Sequence, residues 1–179
     1  ALNDVSLEVY PGEMVGVVGR AGAGKSTLMH VLGGLQRPDS GQVRIDDKDV
    51  TQLDDAELAR VRADKVGFLF QAFNILPNET VLGNVDISLQ ESGLPAKESR
   101  RKASEALGVV GLGNRLEHTP SQLSPRHRQY MAIARALVND PAVIIADEPT
   151  RPLDTTSREE MMGLFQRLND EGRTIIIST

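Results

Sequence analysis

Hydrophobic positions fall into short runs, and the runs alternate with segments of helical period. Met14 to Val18, Val66 to Phe70, Val143 to Ala146 and Thr174 to Ser178 are strand-length runs with little polar alternation. That is the pattern of strands covered on both faces. Val5 to Tyr10 alternates apolar and polar residues and reads as a further strand, turned by Pro11-Gly12. Gln42 to Ile45 reads as its partner after the turn at Pro38-Asp39-Ser40-Gly41, which predicts a small antiparallel edge sheet; Tyr10 is then expected to pack on that edge.

Helices fill the intervals. Asp54-Asp55-Ala56-Glu57 is a capped start with acidic residues in the first turn, and Leu58 and Val61 give that helix an apolar stripe. Ser124 to Leu137 and Thr155 to Asn169 are two more, the latter closed by Gly172. From Asn78 onward the pattern stays helical, with turns at Gly93-Leu94-Pro95 and Gly111-Leu112-Gly113, which predicts a helical subdomain over residues 78–137 inserted in the rest. Strands alternating with helices predict one α/β domain with a mostly parallel sheet, and 179 residues are enough to bury its core.

Charge and composition narrow the function. The 25 acidic residues outnumber the 20 Lys and Arg, a formal charge of −5, and aromatics are 3%. No basic field or stacking platform points to nucleic acid, and Arg126-His127-Arg128 reads as a solvated helix start. The absence of cysteine removes disulfides and thiolate metal sites. No stretch approaches the roughly 18 apolar residues of a spanning helix, so the chain itself reads as soluble.

The chemistry begins where the Met14 to Val18 run ends. Gly19, Arg20, Ala21, Gly22, Ala23, Gly24, Lys25, Ser26 and Thr27 spell the phosphate loop Gly-x-x-x-x-Gly-Lys-Ser/Thr between a strand and a helix. Successive main-chain N–H groups curl around a phosphate chain there, and the helix adds the positive end of its dipole. Lys25 reaches the β- and γ-phosphates, Ser26 offers its hydroxyl to Mg²⁺, and Thr27 donates to a phosphate nearer the nucleoside. ATP with Mg²⁺ is the predicted ligand. Asp147 and Glu148 close another buried run, where open α/β sheets assemble their sites. Asp147 is expected to support the metal, and Glu148 to orient or deprotonate the attacking water. Gln71, after the Val66 to Phe70 strand, is expected to contact both metal and water.

Together these motifs resemble the ATP-binding subunit of ABC transporters. The resemblance runs through the phosphate loop, Phe70-Gln71, Leu123-Ser124, Ala132 to Leu137, Ile144 to Thr150 and Leu153-Asp154. The wording around Leu32 to Leu35, Phe70 to Asn74 and Asp147 to Thr150 is most similar to the branch serving lipoprotein release and macrolide export. The resemblance implies a RecA-like P-loop NTPase core and an ATPase at the cytoplasmic face of the membrane. It also implies two partners, a second ATP-binding subunit and a transmembrane permease. Two subunits would face head to tail, with Ser124 touching the partner's ATP, Asp154 lying in the loop that meets the other subunit, and Phe73, Leu76 and Pro77 near the permease.

Two departures stand out. Where the family reads Leu-Ser-Gly-Gly-Gln, this chain has Leu123-Ser124-Pro125-Arg126-His127, and Arg151-Pro152 replaces a common Gly-Asn. Pro125 has no N–H to donate, while Arg126 either obstructs the partner's phosphate or adds a charge to it. The family's switch histidine would follow Thr179, and the adenine-stacking aromatic residue would precede Ala1, so the chain reads as part of a longer subunit. A nucleotide-binding regulatory subunit with little turnover, and a cell-division ATPase of the same fold, remain alternatives.

Overall fold

The four apolar runs form one parallel sheet in the computed structural model, which describes residues 2–70, 74–151 and 153–179. Its strands are β1 (Met14–Val17), β4 (Val66–Leu69), β5 (Val143–Asp147) and β6 (Ile175–Ser178), in the order β1-β6-β5-β4. The register aligns their carboxyl ends, with Ser178 opposite both Val17 and Asp147.

Both faces are covered, which is why these strands read as continuous apolar runs. Ile145 and Ile176 pack with Met29 of α1 (Lys25–Leu32) on one face. Ile144, Ala146, Ile175 and Ile177 join the large cluster on the other. That cluster takes in Met161, Leu164, Phe165 and Leu168 of α6 (Thr155–Asp170). It ends where the Arg173 N–H returns to the Leu168 carbonyl at 3.0 Å and that of Gly172 to Asn169 at 2.8 Å.

The helical segment is α3 (Val81–Asp86), α4 (Ala96–Val109) and α5 (Pro125–Leu137). These helices pack on one another, α5 also packs on β4, and their apolar residues are continuous with the core cluster of the sheet. At the β4–α5 contact the backbones touch: a Cβ on Gly67 would lie 2.3 Å from the Ala136 carbonyl oxygen. Asn84, fully buried, donates to the carbonyls of Leu76 and Thr80 at 3.0 Å and accepts from the Leu76 N–H at 2.8 Å. Arg135 donates to the Asn74 carbonyl at 2.8 Å. Leu76 and Asn74 are thus pinned to α3 and α5 respectively.

The expected edge pairing is corrected. Residues 5–10 form no strand, and Val5, Leu7 and Tyr10 are exposed. The antiparallel pair is instead the hairpin β2 (Arg44–Ile45) and β3 (Lys48–Asp49). Asp46 and Asp47 both take positive φ, 49° and 62°, the requirement of a two-residue hairpin turn. A turn that short closes at far less entropic cost than pairing with a segment more than thirty positions away. Tyr10 therefore packs on no edge; it is 59% exposed, and its hydroxyl donates to Glu8 at 2.8 Å. The predicted helix after Asp54 is α2 (Asp55–Lys65), with both capping-box bonds present, and its Leu58 and Val61 bury against Ile45 and Val50 of the hairpin region.

Candidate functional site

The phosphate loop leaves β1 and enters α1 as the sequence predicts. The Gly19 N–H donates to the Thr179 carbonyl at 3.4 Å, and that of Ala23 to Arg20 at 3.1 Å, closing the curl. Gly22 and Gly24 have φ of 79° and 94°, values open to glycine, and Gly24 caps α1 with no side-chain bond to its first turn. The first N–H groups of the helix are thus left for an anion. Gly19 to Ala23 and Ser26 are exposed, while Lys25 and Thr27 are partly buried. Lys25 Nζ donates to the carbonyls of Gly19 at 2.8 Å and Arg20 at 3.4 Å, which aims the ammonium back across the curl.

Asp147 and Glu148 arrive from β5. Asp147 is buried, and its Oδ1 accepts from the Ser178 hydroxyl at 2.6 Å. The Glu148 N–H donates to that same Ser178 oxygen at 2.9 Å. Ser178, fully buried on the neighbouring strand, thus joins the two acids through one oxygen atom. Glu148 has φ of 45°, which turns its side chain out of the strand line. Its Oε1 lies 3.4 Å from Lys25 Nζ, so the acid pair and the phosphate loop form one site. Its Oε2 accepts from Arg151 Nη1 at 3.1 Å.

Other predicted residues lie apart or outside. Gln71, with Ala72, Phe73 and Pro152, lies outside the described residues. Ser124 is the N-cap of α5: its hydroxyl oxygen accepts from the His127 N–H at 3.3 Å and lies 3.0 Å from His127 Nδ1. Burial, and then the charges of Arg115 and Arg126, hold the His127 imidazole below its ordinary pKa. Arg126 pairs with Glu160 of α6, so its charge is engaged within the subunit. Asp154 caps α6, accepting the Ser157 N–H at 3.0 Å and hydroxyl at 2.8 Å; these bonds, the backbone one first, hold its carboxyl below the usual range.

The donor set suits magnesium. A hydroxyl on Ser26 and a carboxylate on Asp147 are hard oxygen ligands. No group of three or more His, Cys, Asp or Glu able to hold a metal occurs among the described residues. Magnesium fits such a site because it keeps waters and binds largely through a substrate's phosphates. A hollow of about 320 Å³ lies elsewhere, beside Ile45, Lys48, Glu57 and Arg60. The phosphate loop is open instead, as suits a ligand gripped by backbone amides.

Sequence reading missed Ser178 and the Arg151 contact. A serine ending an apolar run carries no signal until strand order puts it beside Asp147. Arg151 is visible in sequence only as a departure.

Comparison with known proteins points to one family. The model of the family described as "ABC transporter" matches residues 2–151. An ABC transporter ATP-binding protein of Thermotoga maritima is 50% identical over all of this chain and 76% of its own length. A macrolide export ATP-binding/permease protein, MacB 1/2 of Paracoccus denitrificans, is 48% identical over 99% of this chain, which spans only 27% of that protein. Among solved structures, the ATP-binding cassette MJ0796, a dimer in a post-hydrolysis state bound to ADP and Pi, superposes with a TM-score of 0.87 at 40% identity, covering 99% of this chain and 79% of that one. The chain belongs to the ABC transporter family.

Proposed function

We propose that this chain is the Mg²⁺-dependent ATPase of an export-type or lipoprotein-releasing ABC transporter, working as one of a pair of ATP-binding subunits. The observation that carries the reading is the joining of two motifs far apart in sequence, with Lys25 of the phosphate loop 3.4 Å from Glu148 of the acid pair. The main-chain amides of residues 19–25 and the Lys25 ammonium grip the triphosphate. Ser26 and Asp147 would hold the Mg²⁺, which supplies charge neutralisation on the phosphates. Gln71, on the segment leading to the helices, is proposed to touch that metal and the water. Glu148 orients the attacking water and receives its proton at one carboxylate oxygen. Ser178 fixes Asp147 and the Glu148 backbone relative to each other, so the carboxylate meets the phosphate loop at a set distance.

Residues 1–179 form a single ATP-binding domain, and the helices within residues 78–137 are its inserted lobe. MacB carries ATP-binding and permease functions in one protein, which supports a membrane permease as partner here. The dimeric MJ0796 cassette supports a second ATP-binding subunit, with Ser124 facing its ATP. No helix of the described residues is long and apolar enough to cross a membrane, so the chain would act peripherally, on the cytoplasmic face, through that permease. Leu76 and Pro77, beside the bonds that Asn84 makes to Leu76, are proposed to meet that partner. A second reading, a nucleotide-binding regulator with little turnover, is favoured by Pro125 and Arg126 at the signature position.

Two substitutions test the assignment. Lys25→Ala is expected to abolish binding of a fluorescent ATP analogue; unchanged affinity overturns the site. Glu148→Gln is expected to keep that binding and to slow phosphate release by about 100-fold or more, the scale of a lost general base. Parental turnover in this variant overturns the role of Glu148. A parent that binds ATP without measurable turnover supports the regulator.

A further inference from the structure

Each oxygen of the Glu148 carboxylate faces a different cation. Oε1 lies 3.4 Å from Lys25 Nζ, inside the site, where the lysine side chain is 9% exposed. Oε2 accepts from Arg151 Nη1 at 3.1 Å, at the rim, where the arginine side chain is 63% exposed. Backbone geometry builds the outer contact. Glu148 turns the chain with its φ of 45°, and the Arg151 N–H closes the turn on the Glu148 carbonyl at 3.2 Å. The two side chains are thereby brought together three residues apart.

A nucleotide acts differently on the two contacts. Triphosphate oxygens on the loop compete directly for Lys25, because a multiply charged phosphate is a stronger acceptor for an ammonium than one carboxylate. Arg151 stands on a different segment, outside the curl of residues 19–25, and keeps its hold. Glu148 therefore enters the reaction with one oxygen still tethered to a surface turn.

We propose that Arg151 is a positioning residue that restrains Glu148, so that hydrolysis on this cassette waits on release of the Glu148–Arg151 ion pair. The inference rests on the reading of Glu148 as the group that orients water. Its size is bounded by the exposure of the arginine, 63% against 22% for the Glu148 side chain, since an ion pair open to solvent on one partner favours its closed form by a factor of only about two to five. Salt weakens it further, because the screening length falls from about 10 Å at 0.1 M to about 3 Å at 1 M.

The test is steady-state ATP hydrolysis by the full cassette with Mg²⁺, comparing the parent, R151A, R151K, E148Q and the E148Q/R151A double variant at low and high KCl. R151A keeps the backbone turn and removes the cation. It is expected to raise kcat about three- to six-fold, the gain when a pair closed by a factor of about two to five is fully released, while KM for ATP stays within about two-fold. R151K retains the charge and is expected to stay near the parent. The R151A-to-parent ratio of kcat is expected to fall toward one as KCl rises, a response that a purely structural role of Arg151 does not produce. E148Q/R151A is expected to match E148Q, because the arginine acts only through that carboxylate. An unchanged or lower kcat in R151A, a ratio indifferent to salt, or the same gain in the E148Q background overturns the proposal. Parental turnover in E148Q itself overturns the underlying role of Glu148, a distinct result.

Discussion

Ser178 sets how rigidly the two acids are held. Its hydroxyl donates to Asp147 Oδ1 at 2.6 Å while the same oxygen accepts the Glu148 N–H at 2.9 Å. Both Ser178 and Asp147 are buried, so water does not readily replace either bond. The link also holds Glu148 in a left-handed backbone conformation, which costs a non-glycine residue on the order of 1 kcal/mol. Ser178→Ala leaves a buried carboxylate oxygen short of a donor and a backbone N–H short of an acceptor. We expect unfolding free energy to fall by about 1–3 kcal/mol in urea titrations, with kcat reduced and ATP affinity largely kept. Unchanged stability and unchanged kcat in that variant would show that the acids are held by the strand backbone alone.

Between elements, the tightest approach is that of β4 to the end of α5. Gly67→Ala places a Cβ 2.3 Å from the Ala136 carbonyl oxygen and 3.0 Å from Pro141, so one backbone must shift. The expected loss is about 1–3 kcal/mol, read as a melting point lower by about 2–10 °C for a chain of this size. Gly108→Ala is the matched control. It lies within α4 with nothing within 4 Å of an added Cβ, and is expected to be neutral or stabilising by up to about 1 kcal/mol. Equal effects of the two would sink the close-packing argument. The same contrast explains what the sequence could reveal. The runs that became β1, β4, β5 and β6 are legible because burial on both faces leaves no polar alternation, and α2 is legible because its cap is a local four-residue pattern. Residues 5–10 alternate too, but alternation does not say whether a partner strand exists; the competing turn at Asp46-Asp47 took that pairing. At the site, the phosphate loop and the Asp147-Glu148 pair are contiguous motifs and so were readable. The Ser178 bridge depends on β6 lying beside β5, and the Arg151 contact on the left-handed turn at Glu148; neither is written in spacing.

On the scale of the whole molecule, the proposed pairing with a second subunit turns on Pro125 and Arg126, which stand at the signature position. Ser124 and Pro125 make a favourable helix start, a serine N-cap followed by proline in the first turn, and Arg126 binds back to Glu160 on α6. These choices stabilise the separate subunit at the expense of a surface that could approach a phosphate, since proline offers no N–H and a tethered arginine fills space. Replacing both by glycine therefore has two opposed effects. The subunit is expected to lose about 1–2 kcal/mol of stability through poorer helix propensity and the lost Arg126–Glu160 contact. The proposed dimer would gain a backbone donor to charged phosphate at each interface site, a bond type that contributes about 1.5–3 kcal/mol. The gain applies only in the assembled state, so P125G/R126G is expected to melt at lower temperature alone yet dimerise about tenfold or more tightly in Mg-ATP, measured by light scattering in the E148Q background, where turnover does not disperse the complex. Arg126→Ala alone separates the two contributions. It frees Glu160 and clears the side chain but leaves residue 125 without its N–H, so it should destabilise the subunit slightly and tighten the dimer little. If instead Arg126→Ala weakens the ATP-bound dimer, the arginine leaves Glu160 on assembly and serves the partner's phosphates as a compensating charge.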